Sequence, residues 1–242
     1  MRLYAVLFED DGMLAVDKPS GLLSVRDRWD REQENLHDLL EARSGAKRYI
    51  VHRLDKDTSG VVLFAKTAEA HKSLSLQFET RFVKKEYFAL AQGIVEEDSR
   101  SLAFPIAEDL RHPGVMITSP LGKHAQTDFA VLERFPRAGY SWLSLKPLTG
   151  RTHQVRLHLR CAGHPVAGDP LYGSVEQILL SRLKKRYKLG KDAEEKPLLQ
   201  RMALHAHRLT VKHPQTQEML ELCAPIPRDI EVTLKYLRRF GV

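Results

Sequence analysis

The sequence predicts an α+β fold: a largely antiparallel mixed sheet with flanking helices. Three observations lead there. Strand-like runs outnumber helical ones, and most of them follow one another without the crossover helix that a parallel pair requires. The helical patterns carry a single apolar stripe, as helices laid on a sheet do. The 242 residues fit one large domain or two small ones. With 43% hydrophobic and 29% charged residues, a disordered chain and a coiled coil are both excluded.

Residues 3–8 and 13–16 are β-rich runs around an Asp11-Gly12 turn signal, an opening hairpin that Lys18-Pro19-Ser20-Gly21 ends. Asn35 can cap a helix in which Leu36, Leu39 and Leu40 share a face, with Gly45 as its stop. Residues 61–65 form a buried strand. Thr67 caps a second helix with Ala70, Leu74 and Phe78 on one stripe. Tyr87 opens a strand over 87–91, and further strands cover 125–135, 141–148, 204–211 and 218–223. Thr152 caps a helix with Val155 and Leu159 inward, ending at Gly163, and a last helix aligns Ile230, Leu234 and Leu237.

Thirty-eight Lys and Arg against thirty-one Asp and Glu leave a net charge of +7, which favours an anionic partner such as nucleic acid or a membrane surface. The longest apolar run, 61–65, is far below the roughly 18 residues of a membrane span, so membrane insertion is excluded; no membrane partner is expected. The start lacks the basic n-region and long apolar run of a secretory signal. Cys161 and Cys223 form no C-x-x-C pair, so neither a disulfide framework nor a thiolate zinc site is supported, and a cytoplasmic location fits. Residues 176–196 are Lys-rich, include Lys184-Lys185-Arg186, and are expected to be a basic surface insertion. A solvated helix face is its plain explanation, phosphate contact the functional one.

The chemistry concentrates in two stretches. His52-Arg53-Leu54-Asp55-Lys56-Asp57-Thr58-Ser59-Gly60 is a polar turn delivered directly into the apolar strand 61–65. Loops on rigid strands often carry function, although Asp55 could be a turn residue and Gly60 a point of close backbone approach. In Thr149-Gly150-Arg151-Thr152-His153-Gln154, a glycine turn brings an arginine to a helix start. A cation is disfavoured at that end, so Arg151 needs a specific anionic partner, a carboxylate or a phosphate, with a structural salt bridge as the alternative.

Together these stretches resemble the RluA-type RNA pseudouridine synthases, whose signature is His-Arg-Leu-Asp with Thr-Ser-Gly and a later Gly-Arg-Thr-His-Gln. The resemblance covers nearly the whole chain. It extends through Asp17-Lys18-Pro19-Ser20-Gly21-Leu22, Lys84-Lys85-Glu86-Tyr87, His164-Pro165-Val166-Ala167-Gly168-Asp169 and Leu204-His205-Ala206. It implies a single catalytic domain over 1–242, with a central active-site cleft crossing the sheet. Asp55 would be the catalytic aspartate, Tyr87 would lie against the target uracil, and Arg151 would pair with Asp55. Arg53 would help hold the flipped nucleotide and Leu204 would wall the pocket. Many family members carry an RNA-binding domain ahead of the catalytic one. Here the Lys-Pro-Ser-Gly motif arrives at Lys18, so the catalytic domain is expected to bind RNA itself, a stem-loop of rRNA, of tRNA or of both, with no obligate protein partner.

The isomerisation gains and loses no atoms, so no cofactor is expected. A carboxylate can start it as a nucleophile or as a base, and Asp55 suits either. His205 and His207 share a strand face, but zinc needs three or four converging ligands, and no metal site is expected. His52, His153 and His158 are hydrogen-bonded structural or RNA-facing groups. Two rivals are a non-catalytic RNA-binding or ribosome-assembly factor on the same scaffold, and a carboxylate-dependent hydrolase. The chain lacks the second acidic cluster that two-metal phosphate chemistry needs.

Overall fold

The computed structural model describes residues 4–27, 32–174, 176–188 and 194–242. In chain order its elements are β1 (Ala5–Glu9), β2 (Met13–Lys18), α1 (Leu36–Ser44), β3 (Tyr49–Ile50), β4 (Ser59–Ala65), α2 (Ala68–Glu79), β5 (Lys84–Gln92), β6 (Ser99–Leu102), β7 (Ile106–Glu108) and β8 (Met116–Thr118). There follow β9 (Thr127–Phe135), β10 (Tyr140–Pro147), α3 (Gln154–Cys161), α4 (Leu180–Leu183), β11 (Leu204–Lys212), β12 (Met219–Cys223) and α5 (Arg228–Phe240). The chain divides into two compact units, one of Met1–Tyr87 with His205–Pro225, the other of Phe88–Leu204 with Ile226–Val242.

In the first unit the strand order is β1-β2-β4-β11, with β3 beside β4 and β12 beside β11. The pair β4–β11 is parallel, matching His205 to Ser59 and Ala206 to Gly60; the unit's other pairs are antiparallel. All seven residues of β4 are buried, because both faces of the strand are covered. Val61, Leu63 and Ala65 pack with Ala70 and Leu74 of α2, while Val62 and Phe64 pack with Leu36 and Leu40 of α1. This period-2 division explains an apolar run without alternation. Gly60 lies at φ +119°, and a Cβ there would overlap the backbone of Ala206, so only glycine lets β4 and β11 approach.

In the second unit the order is β5-β10-β9-β6, with β7 and β8 as a separate antiparallel hairpin. Strand β9 runs antiparallel to both β10 and β6. Leu157 of α3 packs with Ile106, Ala125 and Tyr172, and α5 buries Ile230, Leu234 and Leu237.

The α+β class holds, with a mostly antiparallel sheet. Two of the three expected N-caps are made: the Asn35 side chain accepts from Asp38 N and the Thr67 side chain from Ala70 N, while Gly45 closes α1 in the left-handed region. Other boundaries differ. Strand β5 begins at Lys84 rather than Tyr87. Thr152 does not cap α3; the cap position is His153 at φ +54°, with no side-chain cap bond. The opening strand's Leu3 and residues 189–193 of the basic segment lie outside the described residues. The described part of that segment holds α4, followed by exposed Lys184, Lys185 and Arg186.

Candidate active site

The loop bearing Asp55 is held by the segment after β2. Lys18 is fully buried, and its ammonium donates to the carbonyls of Pro19 (2.9 Å), Leu22 (2.6 Å) and Lys56 (3.0 Å). Ser20 Oγ donates to Asp57 O at 2.7 Å, and Gly21 N to Lys56 O at 2.9 Å. Buried Ser24 both donates to Leu54 O and accepts from Leu54 N. Thr58 N donates to Asp55 O at 3.1 Å, closing the turn. The backbone on both sides of Asp55 is therefore fixed before any substrate arrives, which is how a reactive side chain on a loop acquires one geometry.

Tyr87 packs against the cluster that includes Leu14, Leu54 and Ala206. Burial and then the negative charge of Asp55 hold its phenol protonated well above the ordinary range. The charge of Asp55 thus bears on Tyr87, another of the predicted site residues. Lys85, two residues earlier on the strand, is pushed down to about 8 by burial and by the charge of Arg81. His52 is pushed down to about 3, chiefly by burial with Lys85 adding to it. Its neutral ring accepts from Leu63 N at 2.9 Å and stacks on Phe78 with centroids 4.7 Å apart, so His52 anchors the loop's start. Arg53 is exposed.

The second unit carries Arg151 and Leu204. Arg151 N donates to Gln154 Oε1 at 3.0 Å, and its Nε donates to His124 O at 3.1 Å. Gln154 is only 4% exposed and uses its whole amide. Oε1 also accepts from Thr149 Oγ1 at 2.7 Å, while Nε2 donates to Gln126 O at 2.9 Å and Thr127 Oγ1 at 3.0 Å. A left-handed His153 and this amide start α3 in place of a side-chain cap. Leu204 is buried at the start of β11.

Sequence reasoning missed a third polar feature. Arg156 and Asp169, 5% and 0% exposed, form a bidentate ion pair with both contacts at 2.8 Å. Asp169 Oδ1 also accepts from Leu171 N and Tyr172 N, and these partners hold the Asp169 carboxyl below its ordinary range against its burial. The guanidinium lies 5.1 Å from the Tyr172 ring centroid. The available signal was a charged residue inside a buried helix stripe, since all of residues 154–159 are buried.

The other histidines that the sequence singled out are hydrogen-bonded. Both His205 and His207 contact the Ala224 carbonyl, and His205 Nδ1 lies 3.0 Å from Ser59 Oγ. His153 Nδ1 is 2.9 Å from Tyr172 Oη, and His158 Nε2 is 3.0 Å from Phe104 O. Among the described residues no three His, Cys, Asp or Glu side chains converge as metal ligands would, and no helix is long and apolar enough to cross a membrane.

A clamped aspartate whose charge bears on a protonated tyrosine, with an arginine-bearing glycine turn elsewhere in the chain, is an arrangement suited to carboxylate chemistry. Residues 12–160 match the model of the RNA pseudouridylate synthase family, and the chain belongs to that family, in its RluA-type branch. It is 37% identical over 237 residues to a ribosomal large subunit pseudouridine synthase D of Nitrosomonas europaea, covering 96% of this chain and 65% of that relative. It is 34% identical to a dual-specificity RNA pseudouridine synthase RluA of Vibrio vulnificus, over 91% of this chain and 82% of that one. Among solved structures, human RNA pseudouridylate synthase domain containing 1 superimposes with a TM-score of 0.69 at 28% identity, covering 97% of this chain and 94% of its own. The chain thus spans about two-thirds of the length of the first of these relatives.

Proposed function

We propose that this protein isomerises uridines in structured RNA to pseudouridine, with Asp55 as the catalytic carboxylate. The observation that carries the reading is the clamped Asp55 loop, with the carboxylate's charge acting on the phenol of Tyr87. The reaction breaks the bond from uracil N1 to ribose C1′, turns the base and rejoins it through C5, releasing the C5 proton.

A uridine in a stem or stacked loop is out of reach, so it is extruded, and the ring of Tyr87 replaces part of its lost stacking. Asp55 then acts as nucleophile or as base. In this reading Arg151 is the cationic partner of Asp55, Arg53 holds the extruded nucleotide, and Leu204 walls the base. The Tyr87 phenol is neutral in the free enzyme, so it acts on the C5 proton only by handing its own proton onward. Its low acidity suits a relay rather than a free phenolate base.

The net charge of +7 supports RNA as the partner, and the name of the ribosomal large subunit relative supports rRNA as the target; tRNA as a second target and a cytoplasmic location are parts of the same proposal. Mapping pseudouridine in total RNA from cells with and without the protein tests this. The expected result is loss of one or a few defined sites in rRNA or tRNA that return with the wild-type gene; an unchanged map in every RNA would remove the reading.

A further inference from the structure

We propose that the turn joining α2 to β5 is a second RNA contact, in which Phe82 stacks on an unpaired base flanking the target uridine and Arg81 and Lys84 hold the adjoining phosphates. The inference rests on the RNA-modifying reading above and adds a subsite to it.

The turn is built at a cost that folding alone does not require. Helix α2 ends with Phe82 N donating to Gln77 O at 2.9 Å and Arg81 N donating to Phe78 O at 3.2 Å, the paired bonds of a Schellman closure. In that closure the residue after the cap is left-handed, and glycine occupies it without strain. Here the residue is Arg81 at φ +60°. A bulky side chain kept in a strained backbone conformation points to a function for that side chain.

The apolar partners of the motif are displaced in the same way. A Schellman turn normally folds the residue that follows over the helix's last turn. Phe82 and Leu76 hold those positions, yet they stay 47% and 58% exposed. An exposed aromatic between cations is the composition of a single-strand platform, where rings stack on bases and cations follow the backbone. Residues 76–85 contain Arg81, Lys84 and Lys85 against the single acid Glu79. The positive charges crowd, since Arg81 contributes to the depressed affinity of Lys85 for its proton.

Position completes the argument. The turn feeds directly into β5, which carries Tyr87 five residues beyond Phe82 and Lys85 on the same strand face as Tyr87. A strand of RNA whose target base reaches Tyr87 has its neighbours within reach of this turn. A polyanion with stackable rings fits both the ring and the charges.

The test uses the full chain with Arg81→Gly, Phe82→Ala and Phe82→Tyr. The probes are a fluorescein-labelled 20-nucleotide oligouridylate for binding and total rRNA for pseudouridine formation. Arg81→Gly separates the two roles, because glycine relieves the strained φ. Its Tm should equal or exceed the wild type, while its affinity falls and the log–log salt slope flattens by about 0.7, the value of one phosphate contact on a single strand. Phe82→Ala should weaken binding by roughly 5- to 150-fold, the range for one lost stacking contact, and Phe82→Tyr should restore it. If Arg81→Gly and Phe82→Ala both bind like the wild type, with an unchanged slope, while the wild type forms pseudouridine, the second contact is overturned and the reaction stands. If the wild type forms none, the underlying reading fails first.

Discussion

Replacing Gln154 by methionine removes four hydrogen bonds at nearly constant volume. The amide is buried, and all four of its donor and acceptor positions are engaged at 2.7 to 3.0 Å. Two of its partners keep other bonds: Gln126 O still accepts from Leu148 N, and Thr149 Oγ1 still accepts from Gln126 N. Arg151 N loses its bond to the Gln154 side chain. At a net 0.5 to 1.5 kcal/mol per bond the loss sums to about 4 kcal/mol, within roughly 2 kcal/mol either way. For a chain of this length that lowers Tm by about 8 to 16 °C. Urea unfolding should show a lower midpoint with unchanged slope. Gln154→Glu sharpens the test. It keeps the acceptor toward Arg151 N, but when ionised it cannot donate to Gln126 O or Thr127 Oγ1. Buried against acceptors, the new carboxyl has a raised folded-state pKa, so its stability is fullest in acid and is lost as pH rises. The glutamate variant should therefore lie closer to wild type at pH 5 than at pH 8. A methionine variant within about 0.5 kcal/mol of wild type would refute the view that this amide builds the turn.

Other outcomes follow from the same geometry. His52 titrates at about 3 in the folded chain against its ordinary 6.5, so protons bind preferentially to the unfolded state. Stability is full above pH 6.5 and falls below it by up to about 1.4 kcal/mol per pH unit; His52→Gln should flatten that loss between pH 7 and 5, and equal slopes would remove His52 as its source. Tyr87→Phe should bind RNA nearly normally yet release C5 tritium slowly under single-turnover conditions, because only the relay is lost; release equal to wild type would show that the hydroxyl is dispensable. Changing Lys184, Lys185 and Arg186 together to alanine should flatten the salt dependence of RNA binding while leaving chemistry at saturation intact; an unchanged slope would return the segment to a solvated surface.

How legible the molecule was in its sequence depended on range. Strand β4 was plain because five apolar residues in a row have no exposed face to serve, and α1 and α2 were plain because Asn35 and Thr67 bond their own first turns. The parallel pairing of β4 with β11 joins residues about 146 apart, and no local pattern encodes it. Strands β6, β7 and β8 are only three or four residues long and too short for a period. The start of α3 was misplaced because threonine is a common cap, whereas a left-handed histidine followed by a glutamine network is not.

The same contrast holds at the site. Asp55 stood out in a polar turn before an apolar strand, and the family resemblance gave it a role. Lys18 was visible as part of a motif, but its work depends on carbonyls from two segments 38 residues apart meeting one buried ammonium. Arg156 and Asp169 look like surface charges until the fold buries both.

The central claim is that the Asp55 carboxylate drives the isomerisation. Asp55→Asn preserves shape and one acceptor oxygen while removing the negative charge, the basicity and the nucleophile. Tritium release from total rRNA labelled at uracil C5 measures turnover directly, with far-UV circular dichroism and filter binding on the same sample to establish folding and affinity. The expected result is a folded variant that binds RNA close to wild type and releases no tritium above background; substantial release by a pure, folded Asp55→Asn sample would contradict the account.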